Sequence, residues 1–177
     1  RSVTNLPTKR LYGVGAGRRA IELNKAIHIA VPPEQLFAFF YNFENFPRFM
    51  LHLESVTVDG ERSHWVARGP AGVRVSWDAE IVRFEPNRLI AWQSLPGSMV
   101  QSAGVVRFEA DARGGTLLAV HMTYNPPAGA LGHTVASLFG ADAKHALHDD
   151  LLRLKSLFED GKARGNGQQV SRNDLLK

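Results

Sequence analysis

Apolar and polar residues alternate along the chain from residue 21. Ile21, Leu23, Ile27, Ile29 and Val31 share one side of a period of two, with Glu22, Asn24 and His28 on the other. This predicts a half-buried β-strand. Pro32-Pro33 ends it, and a proline at a first helical position suits a helix start. Residues 34–41 then read as a short helix with Leu36, Phe37, Phe39 and Phe40 on its apolar side. Asn42 is the candidate N-cap of a second short helix through Phe46, with Pro47 in it or just after it. Phe37, Phe39, Phe40, Phe43, Phe46 and Phe49 are six of the ten phenylalanines, gathered in thirteen residues. An apolar lid or wall is expected here, with Phe40, Phe46, Phe49 and Met50 as its cavity-facing side chains.

Past Met50 the pattern becomes a series of short alternating runs: 53–58, 63–68, 73–84, 89–95, 100–110 and 116–124. Turn-forming residues separate them: Asp59-Gly60, Gly69-Pro70, Pro86-Asn87, Pro96-Gly97 and Arg113-Gly114-Gly115. Tight turns at this spacing predict a meander of antiparallel hairpins. Val73, Val75, Trp77, Ala79 and Ile81 alternate with Arg74, Ser76, Asp78 and Glu80, so the sheet should have one buried and one wetted face.

Pro126-Pro127 and Gly129 close the strand region. Residues 131–160 predict a long helix with Leu131, Val135, Leu138, Phe139, Ala146, Leu151, Leu154, Leu157 and Phe158 near one stripe, stopped by Gly161. The expected fold class is α+β. A seven-stranded antiparallel sheet wraps around the long C-terminal helix, and two short helices after the first strand cover one end. A cavity between sheet and helix is the natural consequence. The domain is expected to span 21–160, between a basic flexible segment at 1–20 and a flexible basic tail at 161–177.

The stretches Val31-Pro-Pro-Glu-Gln-Leu-Phe-Ala-Phe-Phe, Asn42-Phe-Glu-Asn-Phe-Pro-Arg-Phe-Met, Arg88-Leu-Ile-Ala-Trp and Val106-Arg-Phe-Glu, in this order of elements, resemble the START-like (SRPBCC, helix-grip) superfamily. The likeness is to its polyketide cyclase/dehydrase and coenzyme Q-binding branch and covers about residues 21–160. The resemblance implies binding of a small hydrophobic molecule, such as a lipid, quinone or polyketide-like compound, for transport or sequestration. It implies no single reaction, and no catalytic motif carries over. A cyclase or aromatase is the alternative. Plant pathogenesis-related relatives carry a glycine-rich loop between early strands, where this chain has only Asp59-Gly60-Glu61.

Charge adds a third reading. The formal net charge of +4 arises at the ends: residues 1–20 carry +5 and 161–177 carry +3, whereas 21–160 carry −4. Nucleic-acid binders place cations on a folded face with aromatics between them, which this distribution does not do. No DNA partner is expected. The basic ends would suit weak contact with a membrane surface or with RNA, as in a ribosome- or membrane-associated protein. A cytoplasmic setting, or one at the inner face of a membrane, follows. The opening at Arg1 suggests a processed chain, in which residues 1–20 would be a linker remnant.

The absence of cysteine excludes thiol nucleophiles, disulfides and cysteine-based metal sites. Gly13-Val-Gly-Ala-Gly has no strand before it and no acidic partner at the spacing a dinucleotide loop requires. No cofactor is expected. His145, His148, Asp149 and Asp150 cluster on the long helix, but one helix supplies too few ligands, and no metal is expected. Strand parity places Trp77, Trp92, Ser94, Met122 and Tyr124 on the inner face. With Trp65 and Phe139 they are the candidate ligand-binding residues. Possible acid/base groups for a cyclase are His64, Arg68, Asp78, His121 and Tyr124. His64 and Arg68 have the parity opposite to Trp65, and Asp78 falls on the wetted face, so binding is favoured over catalysis.

Overall fold

The computed structural model describes residues 21–68, 72–125 and 143–160, together with the backbone of 162–165 and 168–171. The first strand, β1 (Ile21–Ile29), leads into helix α1 (Pro33–Tyr41) and a 3-10 helix (Phe43–Arg48). Six strands follow: β2 (Leu53–Asp59), β3 (Arg62–Arg68), β4 (Arg74–Glu85), β5 (Leu89–Ser94), β6 (Gln101–Ala110) and β7 (Thr116–Asn125). Helix α2 (Ala143–Glu159) completes the main body. The expected α+β helix-grip architecture is the one observed. No described helix is long and apolar enough to cross a membrane.

The sheet is antiparallel throughout, in the order β1-β7-β6-β5-β4-β3-β2. A hairpin meander accounts for β2 to β7, and β1 returns to pair with the last strand. Its turns use the expected residues. Gly60, in the two-residue turn between β2 and β3, and Asn87, in the three-residue turn between β4 and β5, sit at positive φ of 62° and 63°, as tight hairpin turns require of a residue. Irregularities between Leu53 and Ser55 and between Ile81 and Arg83 bend the sheet. The second also ends the alternation expected in β4: beyond Ala79, Ile81 is only half-buried. Val73 departs too. It precedes the strand rather than opening it and is 43% exposed.

Helix α2 packs on the inner face through Leu147, Leu151, Leu154, Leu157 and Phe158, all buried. Ala146, expected in this stripe, is exposed. The expected helical residues 131–142 lie outside the described part. Phe39 meets Phe158 edge-on at 5.2 Å and so ties α1 to α2. Asn42 caps the 3-10 helix by accepting from the Glu44 amide at 3.2 Å, as expected, and Pro47 lies inside that helix.

Both edge strands have free backbone groups met by side chains. Glu159 accepts from the Ala30 amide just past β1 at 2.9 Å, and Lys155 donates to the His28 carbonyl at 2.6 Å. On the other edge Glu44 accepts from the Val58 amide at 2.9 Å. Such contacts block further strand addition. In the expected C-terminal tail, Lys162–Gly165 and Gln168–Ser171 pair as a short antiparallel hairpin (β8 and β9). Residues 1–20 lie outside the described part.

Candidate functional site

The inner face of the sheet, the 3-10 helix and α2 surround a cavity of about 50 Å³. Alternation brings one aromatic side chain from each of three strands to it: Trp65 on β3, Trp77 on β4 and Trp92 on β5. Trp65 and Trp77 are cross-strand partners and stack with ring centres 6.1 Å apart and planes 10° from parallel. The Trp65 indole donates to the Ser63 hydroxyl at 2.8 Å, so its N–H is satisfied while its ring faces the core. These are all the tryptophans in the chain.

Phe40, Phe46, Phe49 and Met50, which the sequence suggests as a lid, also line the cavity. Their rings interlock with the wall: Phe40 meets Phe46 at 5.3 Å edge-on, and Phe46 meets Trp65 at 5.3 Å. Phe43 supports Trp65 and Trp92 from behind, at 5.5 Å from each. Val100 just before β6, Ser102 and Val106 of β6, and Val120 and Met122 of β7 supply the floor; Leu147 and Leu151 of α2 supply the roof.

Trp92 takes its position from a glycine. Its neighbour across the strand pair is Gly104, and a β-carbon there would lie 2.3 Å from the indole Cζ2. The indole therefore lies flat against bare backbone.

Among the expected ligand-binding residues, Trp65, Trp77, Trp92 and Met122 converge on this cavity. Ser94 is buried beside it, where its hydroxyl accepts from the Ser102 amide at 3.0 Å. Tyr124 pairs by backbone with Ile21 and Ser102, and its side chain, like Phe139, lies outside the described part. Of the acid/base candidates of the sheet, His64, Arg68, Asp78 and His121 are on the other face. His64 and Asp78 bond to each other at 2.8 Å in solvent, Arg68 pairs with Glu54 at 3.2 Å, and His121 bonds to Asn24. His145 and Asp149 form an exposed pair at 3.7 Å. No group of three or more metal-ligating side chains occurs among the described residues.

Sequence reasoning missed the cavity's polar side. His52 and Ser102 are the polar side chains among the described lining residues. Behind His52 stands Asp150 of α2, its Oδ2 3.9 Å from the imidazole Nδ1. Asp150 is 2% exposed, although a charged side chain on an amphipathic helix ordinarily faces away from the apolar stripe. Its spacing carried the signal: position 150 is three from Leu147 and four from Leu154, on the stripe itself. Arg153 pairs with Asp150 Oδ1 and donates from Nε to the Phe49 carbonyl at 3.0 Å. Burial pushes the Asp150 carboxyl up to about 6, against the pull of Arg153 and the Leu51 amide. Burial, aided by the Arg153 charge, lowers His52 to about 4. At neutral pH the cavity therefore meets a neutral imidazole backed by a carboxylate.

Known proteins resemble this chain in sequence or in fold. An uncharacterised 17.2 kDa protein of Streptomyces lincolnensis is 29% identical over 140 residues, 78% of this chain and 90% of that protein. The crystal structure of a Deinococcus radiodurans protein is 36% identical, with a TM-score of 0.64, over 80% of this chain and 98% of that one. An aromatase/cyclase from Streptomyces sp. R1128 shares the fold at 17% identity and a TM-score of 0.50, over 79% of this chain and 88% of its own. The model of one family, described as polyketide cyclase / dehydrase and lipid transport, matches residues 29–152, from the end of β1 into α2. The chain thus belongs to the polyketide cyclase/dehydrase and lipid transport family, with its helix-grip fold.

Proposed function

We propose that the protein binds a small, ring-bearing, largely apolar ligand between sheet and α2, and transports or sequesters it. The observation that carries this reading is the convergence of every tryptophan in the chain with three phenylalanines on one cavity. Aromatic walls with few polar groups suit flat apolar ligands. Size constrains the ligand. At about 50 Å³ the cavity is smaller than the roughly 150 Å³ void that admits benzene in an engineered protein core. A lipid, quinone or polyketide-sized guest therefore requires wall side chains to move. Met50 and Met122, unbranched and adaptable, are the lining residues that move at least cost.

The three tryptophans make occupancy directly visible. Titration with quinones, fatty acids and aromatic polyketones should change tryptophan emission saturably, at one ligand per chain, for at least one class. Emission and melting temperature unchanged by all three would count against the reading. His52 in the wall favours a second reading, a cyclase or aromatase acting on a polyketide-like substrate, whose test is turnover of a bound polyketone. Contact of the basic ends with membrane or RNA would rest on side chains outside the described part. Its test is salt-dependent binding to anionic vesicles or RNA, lost when residues 1–20 and 161–177 are removed.

A further inference from the structure

We propose that residues 1–20 lie across the outer face of the sheet, over β5 to β7, as a second layer opposite α2. The inference is independent of what the cavity holds.

The burial of the strands carries it. β3 alternates, with Ser63, Trp65 and Ala67 buried and the residues between them not. β5 and β6 do not alternate. Every residue of β5 except Gln93 is buried, as is every residue of β6 from Ser102 to Val106. A strand buried on both sides has a layer packed on each side. On the inner side that layer is α2 with the two short helices. On the outer side Leu89, Ala91 and Val105 form a second apolar cluster, only 4%, 1% and 4% exposed, with Val82 against it. Thr123 Oγ1, His121 Nε2 and Arg107 Nε, on the same side, are also shut off from water. Neighbours within one sheet stand beside these side chains and do not roof them. No described helix does so either. α1 reaches β6 through Phe37 and Phe40 on Phe108, which points inward, and the β8–β9 hairpin lies against α2 and the 3-10 helix. The described residues thus leave this face without the cover its burial requires.

Position singles out residues 1–20. Ile21 pairs with Tyr124, so the chain before it starts beside Thr123 and Asn125, at the corner where the buried polar atoms begin. The buried region runs from there across β6 to Leu89, about 16 Å away by strand spacing and rise. About five extended residues span that distance. The region stops short of Ala26, Leu117 and Glu109, which are exposed on the same face. Residues 126–142 leave the same corner but must arrive at Ala143, where α2 begins on the inner side. Residues 1–20 also hold the apolar side chains for the contact, in Val3, Leu6, Leu11, Tyr12 and Val14. Their five cations, with no acid among them, then stand on the outer surface with their stems on the sheet.

The chain has no cysteine, so a single introduced thiol reports on cover in the full chain. Ala91→Cys probes the buried region and Ala26→Cys the exposed part of the same face. The Ala91→Cys thiol should react with dithiobis(nitrobenzoate) at least about tenfold more slowly than the Ala26→Cys thiol. Adding Leu6→Ser, Leu11→Ser and Tyr12→Ser in the full chain should bring the two rates within about twofold. A second measurement leaves the sheet unaltered: a nitroxide on Thr8→Cys should broaden the amide signals of Ala103 and Val105 more than those of Leu154 and Leu157 on α2. Equal rates for the two thiols before the serines are added, or protection that survives them, would overturn the proposal. So would protection that grows with protein concentration, as a second copy on this face would give, or stronger broadening on α2.

Discussion

Gly104 provides a quantitative test of how the aromatic wall is built. A methyl group at this position would lie 2.3, 2.7 and 2.8 Å from Cζ2, Cε2 and Cη2 of Trp92. Ordinary carbon contacts begin near 3.5 Å, so Gly104→Ala requires a displacement of about 1 Å. Trp92 is 5% exposed and held at 5.5 Å from Phe43 and 6.3 Å from Phe46, so the indole yields mainly toward the cavity. Overpacking of this kind costs about 1–3 kcal/mol, whereas replacing a strand glycine by alanine returns about 0.5–1 kcal/mol of backbone entropy. The net expectation is a loss of about 1–2 kcal/mol, with weaker binding of any cavity ligand. Cζ2 and Cη2, two of the three atoms in conflict, belong to the part of the indole that phenylalanine lacks. In a Trp92→Phe background the same substitution should be neutral or slightly stabilising. The coupling in this double-mutant cycle should then be about 1–3 kcal/mol. Urea denaturation followed by far-ultraviolet circular dichroism measures all four proteins without relying on tryptophan emission. An equal penalty in both backgrounds, or a Gly104→Ala protein as stable as wild type, would refute the reasoning.

Two further predictions concern α2. Asp150 binds its proton more tightly folded than unfolded, so its contribution to stability is fully present below its ordinary value of 3.8 and is lost as pH rises through about 6. His52 has the opposite sign: its contribution is present above 6.5 and is lost as pH falls through about 4. Each amounts to on the order of 3 kcal/mol, and in wild type they oppose each other between pH 4 and 6. Relative to wild type, stability should therefore fall with rising pH in His52→Leu and rise in Asp150→Asn, as read from denaturation midpoints at pH 4, 5 and 6. Parallel pH profiles for all three proteins would show that the groups are not opposed. Glu159→Ala removes the acceptor for the Ala30 amide and the partner of Lys155, and should cost about 1 kcal/mol in thermal or urea unfolding without changing ligand affinity.

The fold was legible because its signals were local. Alternation in β1 to β7 and the turn residues at Gly60, Asn87, Gly97 and Gly114 define the strands without any knowledge of packing. Parity alone put Trp77, Trp92 and Met122 on the inner face, and it kept His64, Arg68 and Asp78 off it. Val73 escaped because parity says nothing about where a strand begins. His52 was illegible for a related reason. It lies in a turn between the 3-10 helix and β2, where no period assigns a direction. Asp150 was grouped with its polar neighbours on the helix because charge was weighed before phase. Its cost of burial is offset by Arg153, a partner close in sequence, but the ring it stands behind belongs to His52, almost a hundred residues away. A site assembled by such a long-range contact leaves little trace in the sequence.

The central question for this protein is whether the cavity holds a ligand. Native mass spectrometry of protein purified without detergent, before and after organic extraction, measures this. The expected result is one apolar adduct per chain that extraction removes, and that is absent from a Val106→Phe variant in which the cavity is filled. A bare chain mass, unchanged after incubation with quinones, fatty acids and aromatic polyketones, would contradict the central claim.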